Sequence, residues 1–250
     1  MFDRSPTPCR SRQGTAEHLW KRDQRMSGQE GPPSGGEAED HSLIEAINDD
    51  IRQLAHHIRC ARAPADVLEK AMASVQSARD ALAPHLETES GWSTVSIGGE
   101  YAGMPWAEED ITSIMPYSPV SGRRNPVAPP IRLWRDGEDI RGEAIFSPTY
   151  AGPPDSVHGG VIASVFDEVL AMANVISGEA GFTGTLTIRY HATTPLNTPI
   201  ELYAQNVRRD GRKQVCKGEM RANGKRTASA EGLFICAANT LGEVPEAAQE

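Results

Sequence analysis

The sequence has few cysteines, few aromatic residues and no long apolar run, and these shortages exclude several classes of protein. Its four cysteines, among 250 residues, are widely spaced and form no CxxC pair. This pattern argues against a disulfide scaffold and favours a reducing, cytoplasmic setting. No stretch approaches the ~20 consecutive apolar residues of a membrane span. The net charge of −9 argues against general nucleic-acid binding.

The two ends of the chain have the composition of disordered segments. Residues 1–40 are rich in proline, glycine, serine and charge, which predicts disorder. The first 25 residues lack the apolar core of a secretory signal, and their basic character would suit a transit peptide. A true start at Met26 is a second hypothesis for this segment. Residues 238–250 are expected to be a mobile acidic tail.

Two stretches of helical periodicity follow, and together they predict a helical hairpin over residues 41–88. Ser42 and Glu45 fit a capping box at the start of the first helix. Its apolar positions are Leu43, Ile47, Ile51, Leu54 and Ile58. The second helix starts near Pro64 and carries Leu68, Met72, Val75, Leu82 and Leu86 on one stripe. Such a pair would pack against the next domain or against a second copy of the chain.

Residues 89–130 are expected to form an irregular, proline-rich strap. Repeated prolines exclude long regular elements here. The aromatic residues of the segment, Trp92, Tyr101, Trp106 and Tyr117, would anchor it to a surface. It could cover a binding site, although a purely structural strap is the favoured interpretation.

Residues 131–237 have the pattern of an α+β domain. Six strands are predicted, over residues 131–134, 140–146, 183–193, 200–208, 212–221 and 226–236. Asp136-Gly137, Asp210-Gly211 and Asn223-Gly224 mark tight hairpin turns. An apolar run from Val161 to Ile176 predicts a buried helix between the second and third strands. Because a sheet of this size needs one face covered, we expect it to wrap around that helix.

The start of this helix carries the most informative motif in the chain. His158-Gly159-Gly160 precedes the apolar run, and the first N–H groups of a helix suit an anion or a polarised carbonyl oxygen. Asp167 follows nine residues after His158. Helical geometry places it opposite the main apolar face, beside small side chains and Asn174. Asp167 could face solvent on an ordinary amphipathic helix, or it could face a substrate channel.

These features resemble the hotdog-fold acyl-CoA thioesterases of the phenylacetate-pathway type, within the 4-hydroxybenzoyl-CoA thioesterase-like superfamily. The resemblance covers about residues 130–237. The residues that carry it are Gly152-Pro153-Pro154, His158-Gly159-Gly160, Asp167, the strand from Thr183 to Tyr190, Pro195 and the turn at 208–212. Some relatives have an asparagine before the glycine pair that also binds the carbonyl. Its place is taken here by the Gly-Pro-Pro loop, so the oxyanion site would depend on backbone alone.

The resemblance implies a homodimer, or a dimer of dimers, with active sites shared between subunits. The backbone N–H of Gly159 would hold the thioester carbonyl oxygen, and Gly160 would contact the substrate. Asp167 of the facing subunit would act as general base or nucleophile. Thr183 would help position that nucleophile, and His158 would shape the oxyanion loop.

A coenzyme A substrate would also need partners for its phosphates. Residues 189–226 contain nine basic and three acidic residues, in a chain that is otherwise strongly acidic. Arg208, Arg209 and Arg212 are the candidate contacts. The alternative is that these charges only protect edge strands against aggregation.

Hydrolysis of acyl-CoA is therefore the leading expectation, with two alternatives. One is a hotdog-fold hydratase or dehydratase, although such enzymes usually depend on a histidine in a different helix-start motif. The other is a non-catalytic acyl-CoA-binding module that uses the helical hairpin to bind a partner. We expect neither a metal ion nor a cofactor, because His56, His57 and Cys60 have the spacing of ordinary helix residues.

Overall fold

The computed structural model describes residues 37–86, 111–177 and 181–236. The helices are α1 (Glu37–Cys60), α2 (Ala65–Leu82) and α3 (Gly159–Ile176). The strands are β1 (Ile131–Asp136), β2 (Asp139–Ile145), β3 (Gly181–Tyr190), β4 (Pro199–Asp210), β5 (Lys213–Ala222) and β6 (Lys225–Cys236). Short 3-10 helices cover Ala83–His85, Ile111–Ile114 and Pro148–Tyr150.

The six strands form one antiparallel sheet in the order β1-β2-β4-β5-β6-β3. Its three tight hairpins contain Gly137, Gly211 and Gly224, all of which have positive φ angles. Asn223 also has a positive φ, as the first central residue of a type I′ turn requires. The three turns predicted from Asp-Gly and Asn-Gly pairs are confirmed, because the turn chemistry is local to two residues.

Helix α3 lies across one face of this sheet and supplies much of the core. Its buried residues are Ile162, Val165, Phe166, Val169, Leu170, Met172, Ala173 and Asn174. Full burial of one large apolar side chain is worth roughly 1.5–3 kcal/mol, so this face stabilises the domain strongly. The helix approaches β5 closely at Gly218, where a Cβ atom would lie 3.1 Å from the Leu170 side chain. The α+β hotdog fold is therefore confirmed.

Helix α3 is also the only described helix long and apolar enough to cross a membrane by length and composition. Its position explains that composition, since its buried side chains pack in the core under the sheet. A core helix of this kind passes the same test of length and hydropathy.

Helical geometry predicted that Asn174 lies beside Asp167 on the exposed face of α3, and this prediction is wrong. It is fully buried near the end of α3, where its Oδ1 accepts a hydrogen bond of 2.7 Å from the Gly181 N–H. The side chain thus ties the helix to the start of β3. An angular estimate along one helix does not include the strand that closes over its last turn.

The first helix begins earlier than predicted. It starts at Glu37, inside the segment 1–40 that was expected to be disordered, and Ser42 lies within the helix rather than at its cap. The rest of that segment, residues 1–36, lies outside the described residues. The acidic tail 238–250 also lies outside them.

Both helices predicted for residues 41–88 are present, and within the described residues they make no extended contact with each other. Helix α1 docks on residues 123–125 through its polar face. Arg52 donates to Asn125 O at 2.8 Å, and Glu45 lies 3.4 Å from the Arg123 guanidinium. Within the described part of the chain, α2 buries no side chain and makes no extended contact with α1. The hairpin and its packing against the next domain or a second copy of the chain stay a prediction.

The strap is irregular in the part that the structure describes. Residues 111–130 contain one 3-10 turn and a series of tight turns. Ile111 packs into the core, and Ser118 and Ser121 are buried. The segment lies between α1 and α3. The predicted anchors Trp92, Tyr101 and Trp106 are outside the described residues.

Candidate active site

The loop of residues 150–158 holds the start of α3 in place through backbone hydrogen bonds. The Gly152 N–H donates to Ser156 O at 2.9 Å, and the His158 N–H donates to Tyr150 O at 2.9 Å. Gly152 packs directly against the backbone of His158. A Cβ atom at position 152 would lie 2.6 Å from the His158 Cα. Only glycine therefore fits at this position without a shift of the loop.

The first turn of α3 leaves one backbone N–H available to a ligand. His158 is the N-cap, and its Nδ1 accepts a hydrogen bond of 3.0 Å from the Gly160 N–H. The hydrogen bonds of the described residues include no acceptor for the Gly159 N–H. This N–H also lies at the positive end of the helix dipole. Gly159 is therefore placed to bind an oxyanion, whereas the N–H of Gly160 is already engaged by His158.

Tyr190 is a residue of this cluster to which the sequence analysis gave no role. Its hydroxyl donates to Gly159 O at 2.9 Å, and its ring lies over the glycine. A Cβ atom at position 159 would lie 3.4 Å from that hydroxyl oxygen. The contact joins the last residue of β3 to the first residue of α3. Its only sequence signal was the tyrosine that ends the Thr183–Tyr190 strand.

Asp167 and Thr183 lie together. Thr183 Oγ1 donates a hydrogen bond of 2.8 Å to Asp167 Oδ1. A β-bulge between Thr183 and Thr185 interrupts the pairing of β3 with β6 at this point. Bulges redirect side chains and are common beside active sites. Both residues are exposed, and Asp167 lies on the face of α3 that the sheet leaves uncovered.

One chain does not bring the Gly159 N–H and the Asp167 carboxylate together. Eight residues of α3 separate them, which corresponds to about 12 Å along the helix axis. A single carbonyl group cannot contact both. The two clusters therefore belong to different sites, unless a second copy of the chain joins them.

Glu168 is a second carboxylate that sequence reasoning did not assign to any contact. Ser118 Oγ donates to its Oε1 at 2.6 Å, and Ser121 Oγ donates to the same oxygen. Burial raises the pKa of Glu168, the two serine hydrogen bonds oppose that rise, and the nearby Asp167 charge adds to it. The strap is thus tied to the residue that follows Asp167.

The candidate arginines for coenzyme A lie at the β4–β5 hairpin. The strand register places this hairpin beside Gly181, at the end of the sheet where α3 ends. Arg208 and Arg209 are exposed, and Arg212 Nε donates to Cys236 O at 2.8 Å. Arg212 therefore has a structural contact of its own. The three arginines lie at the opposite end of α3 from Gly159 of the same chain.

Comparison with known proteins identifies the family. The sequence pattern of the Thioesterase superfamily matches residues 155–229. The crystal structure of a thioesterase superfamily protein is similar at 31% identity, over 82% of this chain and 93% of that chain, with a TM-score of 0.66. The chain therefore belongs to the thioesterase superfamily. The hotdog region makes up less than half of the chain, so this likeness extends into the N-terminal part.

More distant structures are similar over less of the chain. One is the PaaI protein of Escherichia coli from the phenylacetic acid degradation operon, at 19% identity over 43% of this chain and 79% of that chain, with a TM-score of 0.41. Another is a hypothetical thioesterase from Streptococcus pneumoniae, crystallised with coenzyme A, at 15% identity over 43% of this chain and 88% of that chain, with a TM-score of 0.40.

Proposed function

We propose that this protein hydrolyses acyl-CoA thioesters to a free acid and coenzyme A. The observation that carries the proposal is the Asp167 carboxylate, held by Thr183 at 2.8 Å on an uncovered face of α3. Membership of the thioesterase superfamily supplies the reaction class. The few cysteines and the nature of the substrate suit an activity in the cytoplasm.

In this mechanism Asp167 activates water as a general base, or attacks the thioester carbonyl itself. Thr183 donates to Oδ1, and no described residue donates a hydrogen bond to Oδ2. The second oxygen would therefore face the substrate while the first fixes the orientation of the carboxylate. A positioned base contributes about 10²–10⁴-fold to a rate.

The Gly159 N–H would stabilise the oxyanion that forms on the thioester carbonyl. One such donor, fixed before the reaction, contributes roughly 3–4 kcal/mol to lowering the barrier. His158 and Tyr190 would support it. His158 caps the helix through Gly160, and Tyr190 holds the Gly159 carbonyl.

The separation of the two clusters supports a site shared between two copies. Gly159 of one copy would lie over Asp167 of the other, and two-fold symmetry would make two such sites. Strand β3 ends the sheet, and Phe182 on it is 76% exposed. An unpaired edge of this kind is a template for another chain. A dimer of such dimers would keep the same sites.

We also propose that the β4–β5 hairpin binds the phosphates of coenzyme A. Arg208 and Arg209 are exposed on it, in the most basic part of an acidic chain. The hairpin lies at the same end of the sheet as Thr183 of its own chain. In a site shared between two copies, the subunit that supplies Thr183 would therefore also supply the hairpin. Arg212 has the weaker claim, because it already binds the Cys236 carbonyl.

The test is thiol release from a panel of acyl-CoAs with aliphatic and aromatic acyl groups, at fixed salt. Release of coenzyme A with loss of the thioester supports hydrolysis. Hydration of an enoyl-CoA without thiol release would replace the proposal with a hydratase. Saturable binding without turnover, across the whole panel, would replace it with an acyl-CoA-binding module.

A further inference from the structure

Helix α1 docks on its own domain with its polar face and leaves an apolar face outward. Asn48 and Arg52 contact the backbone carbonyls of Arg123 and Asn125. The outward residues, which we call the α1 stripe, are Ile44, Ile47, Ile51 and Ile58, each between 36% and 65% exposed. A surface helix normally buries its apolar face and exposes its polar face. The reversed arrangement indicates that something else covers the α1 stripe.

Helix α2 carries a matching uncovered surface. The residues that we call the α2 stripe are Leu68, Met72, Val75 and Leu82, each between 46% and 56% exposed. No residue of α2 is buried. An isolated helix of this length is marginal in water, so its stability depends on packing of an apolar face. The α2 stripe therefore also requires a partner.

The two stripes are complementary in length and period. Ile44 and Ile58 are fourteen positions apart, as are Leu68 and Leu82, which corresponds to about 21 Å of helix. Both follow the three- and four-residue spacing of side chains that pack between helices. The four residues of the link, 61–64, end in Pro64, the N-cap of α2. The two helices make no extended contact with each other, and both stripes are exposed within one chain.

We infer that a second copy of this chain covers the stripes, with the α2 stripe of each copy packed against the α1 stripe of the other. The exchange uses the contacts that a hairpin would make within one chain, which is the usual basis of domain swapping. Each copy offers two four-turn helical faces. Two-fold symmetry would make two such α1–α2 pairs in the dimer.

Ile51 and Val75 give a direct test because each lies at the midpoint of its stripe. They meet whether the helices pack parallel or antiparallel. We would replace Cys9 and Cys60 by serine in the full chain, and then introduce Ile51→Cys in one tagged copy and Val75→Cys in a second. The two copies are co-expressed and oxidised. A disulfide requires Cβ atoms about 3.5–4.5 Å apart, so only packed stripes become linked.

The expected result is a covalent dimer that contains one copy of each tag. The matched control replaces Val75→Cys by Ser77→Cys, on the other side of α2, and should give at least tenfold less of the mixed dimer. A second arrangement places Ile51→Cys and Val75→Cys in the same chain. A disulfide that forms only in that arrangement would overturn the inference in favour of a hairpin within one chain. No link in either arrangement would overturn it as well. Neither residue is in the proposed active site, so these outcomes do not bear on hydrolysis.

Discussion

Thr183 Oγ1 donates a hydrogen bond of 2.8 Å to Asp167 Oδ1, which joins the edge strand of the sheet to its central helix. The contact places the carboxylate beside the β-bulge at Thr183, on the uncovered face of α3. It is the only described side-chain hydrogen bond that Asp167 accepts. The orientation of Asp167 therefore depends on one hydroxyl group.

Replacement of Thr183 by valine should lower kcat about 10- to 100-fold with little change in KM. Valine has the same shape but cannot donate, and a hydrogen bond to a charged group is worth roughly 1.5–3 kcal/mol. Steady-state thiol release measures both constants. Thr183→Ser should keep most of the activity, and Thr187→Val on the same strand should keep all of it. A Thr183→Val enzyme with normal kcat would show that the hydroxyl has no part in the reaction.

Replacement of Gly152 by alanine should destabilise the protein by about 1–3 kcal/mol and lower its activity. The added Cβ would lie 2.6 Å from the His158 Cα, so the loop that holds the oxyanion cluster must move. Chemical denaturation and thiol release measure the two effects. Gly137→Ala is the control, because its positive φ also strains alanine, in a turn remote from the site. It should lose stability and keep kcat. Equal kcat values for the two variants would contradict the role of the loop.

Replacement of Glu168 by glutamine should make stability less dependent on pH. Because burial raises the pKa of Glu168 in the folded state, the folded protein binds a proton more tightly than the unfolded chain. The wild-type protein therefore loses stability as pH rises from the ordinary glutamate value through the raised one. Glutamine keeps an oxygen that accepts from Ser118 and Ser121 but carries no charge.

Melting temperatures of the wild-type protein and Glu168→Gln, measured from pH 4 upward, test this expectation. The stability of the variant relative to wild type should grow as pH rises. Glu201→Gln, on the outward face of β4, should show no such trend. A relative stability of Glu168→Gln that is constant with pH would mean that Glu168 titrates normally in the folded protein.

The sequence predicted the parts of the fold that depend on neighbouring residues. Asn223-Gly224 determines its hairpin because both residues must adopt positive φ angles, and few other pairs do so at low cost. The spacing of Asp167 from His158 contributed to the family resemblance for a similar reason, since one residue caps α3 and the other lies within it. The pairing of Thr183 with Asp167 came from the resemblance and not from spacing.

Contacts between distant, irregular segments could not be predicted in this way. Ser118 and Ser121 reach Glu168 across about fifty residues, and turns in the strap determine their positions without any periodic signal. Tyr190 contacts Gly159 across thirty-one residues, from a strand whose position depends on its pairing with β6. The apolar stripe of α1 predicted a packed face, whereas its isoleucines are exposed in the structure. It could not show that Asn48 and Arg52 dock the opposite face.

The most direct test of the account is thiol release by Asp167→Asn, measured with an acyl-CoA that the wild-type protein hydrolyses. Asparagine keeps the size of the side chain and an oxygen for Thr183, so circular dichroism and the melting temperature should stay close to wild type. Glu201→Gln is the charge-matched control, since Glu168 is tied to the strap. We predict a fall in kcat of about 10²–10⁴-fold for Asp167→Asn. Turnover within a few-fold of wild type in a folded Asp167→Asn protein would contradict the central role of this carboxylate.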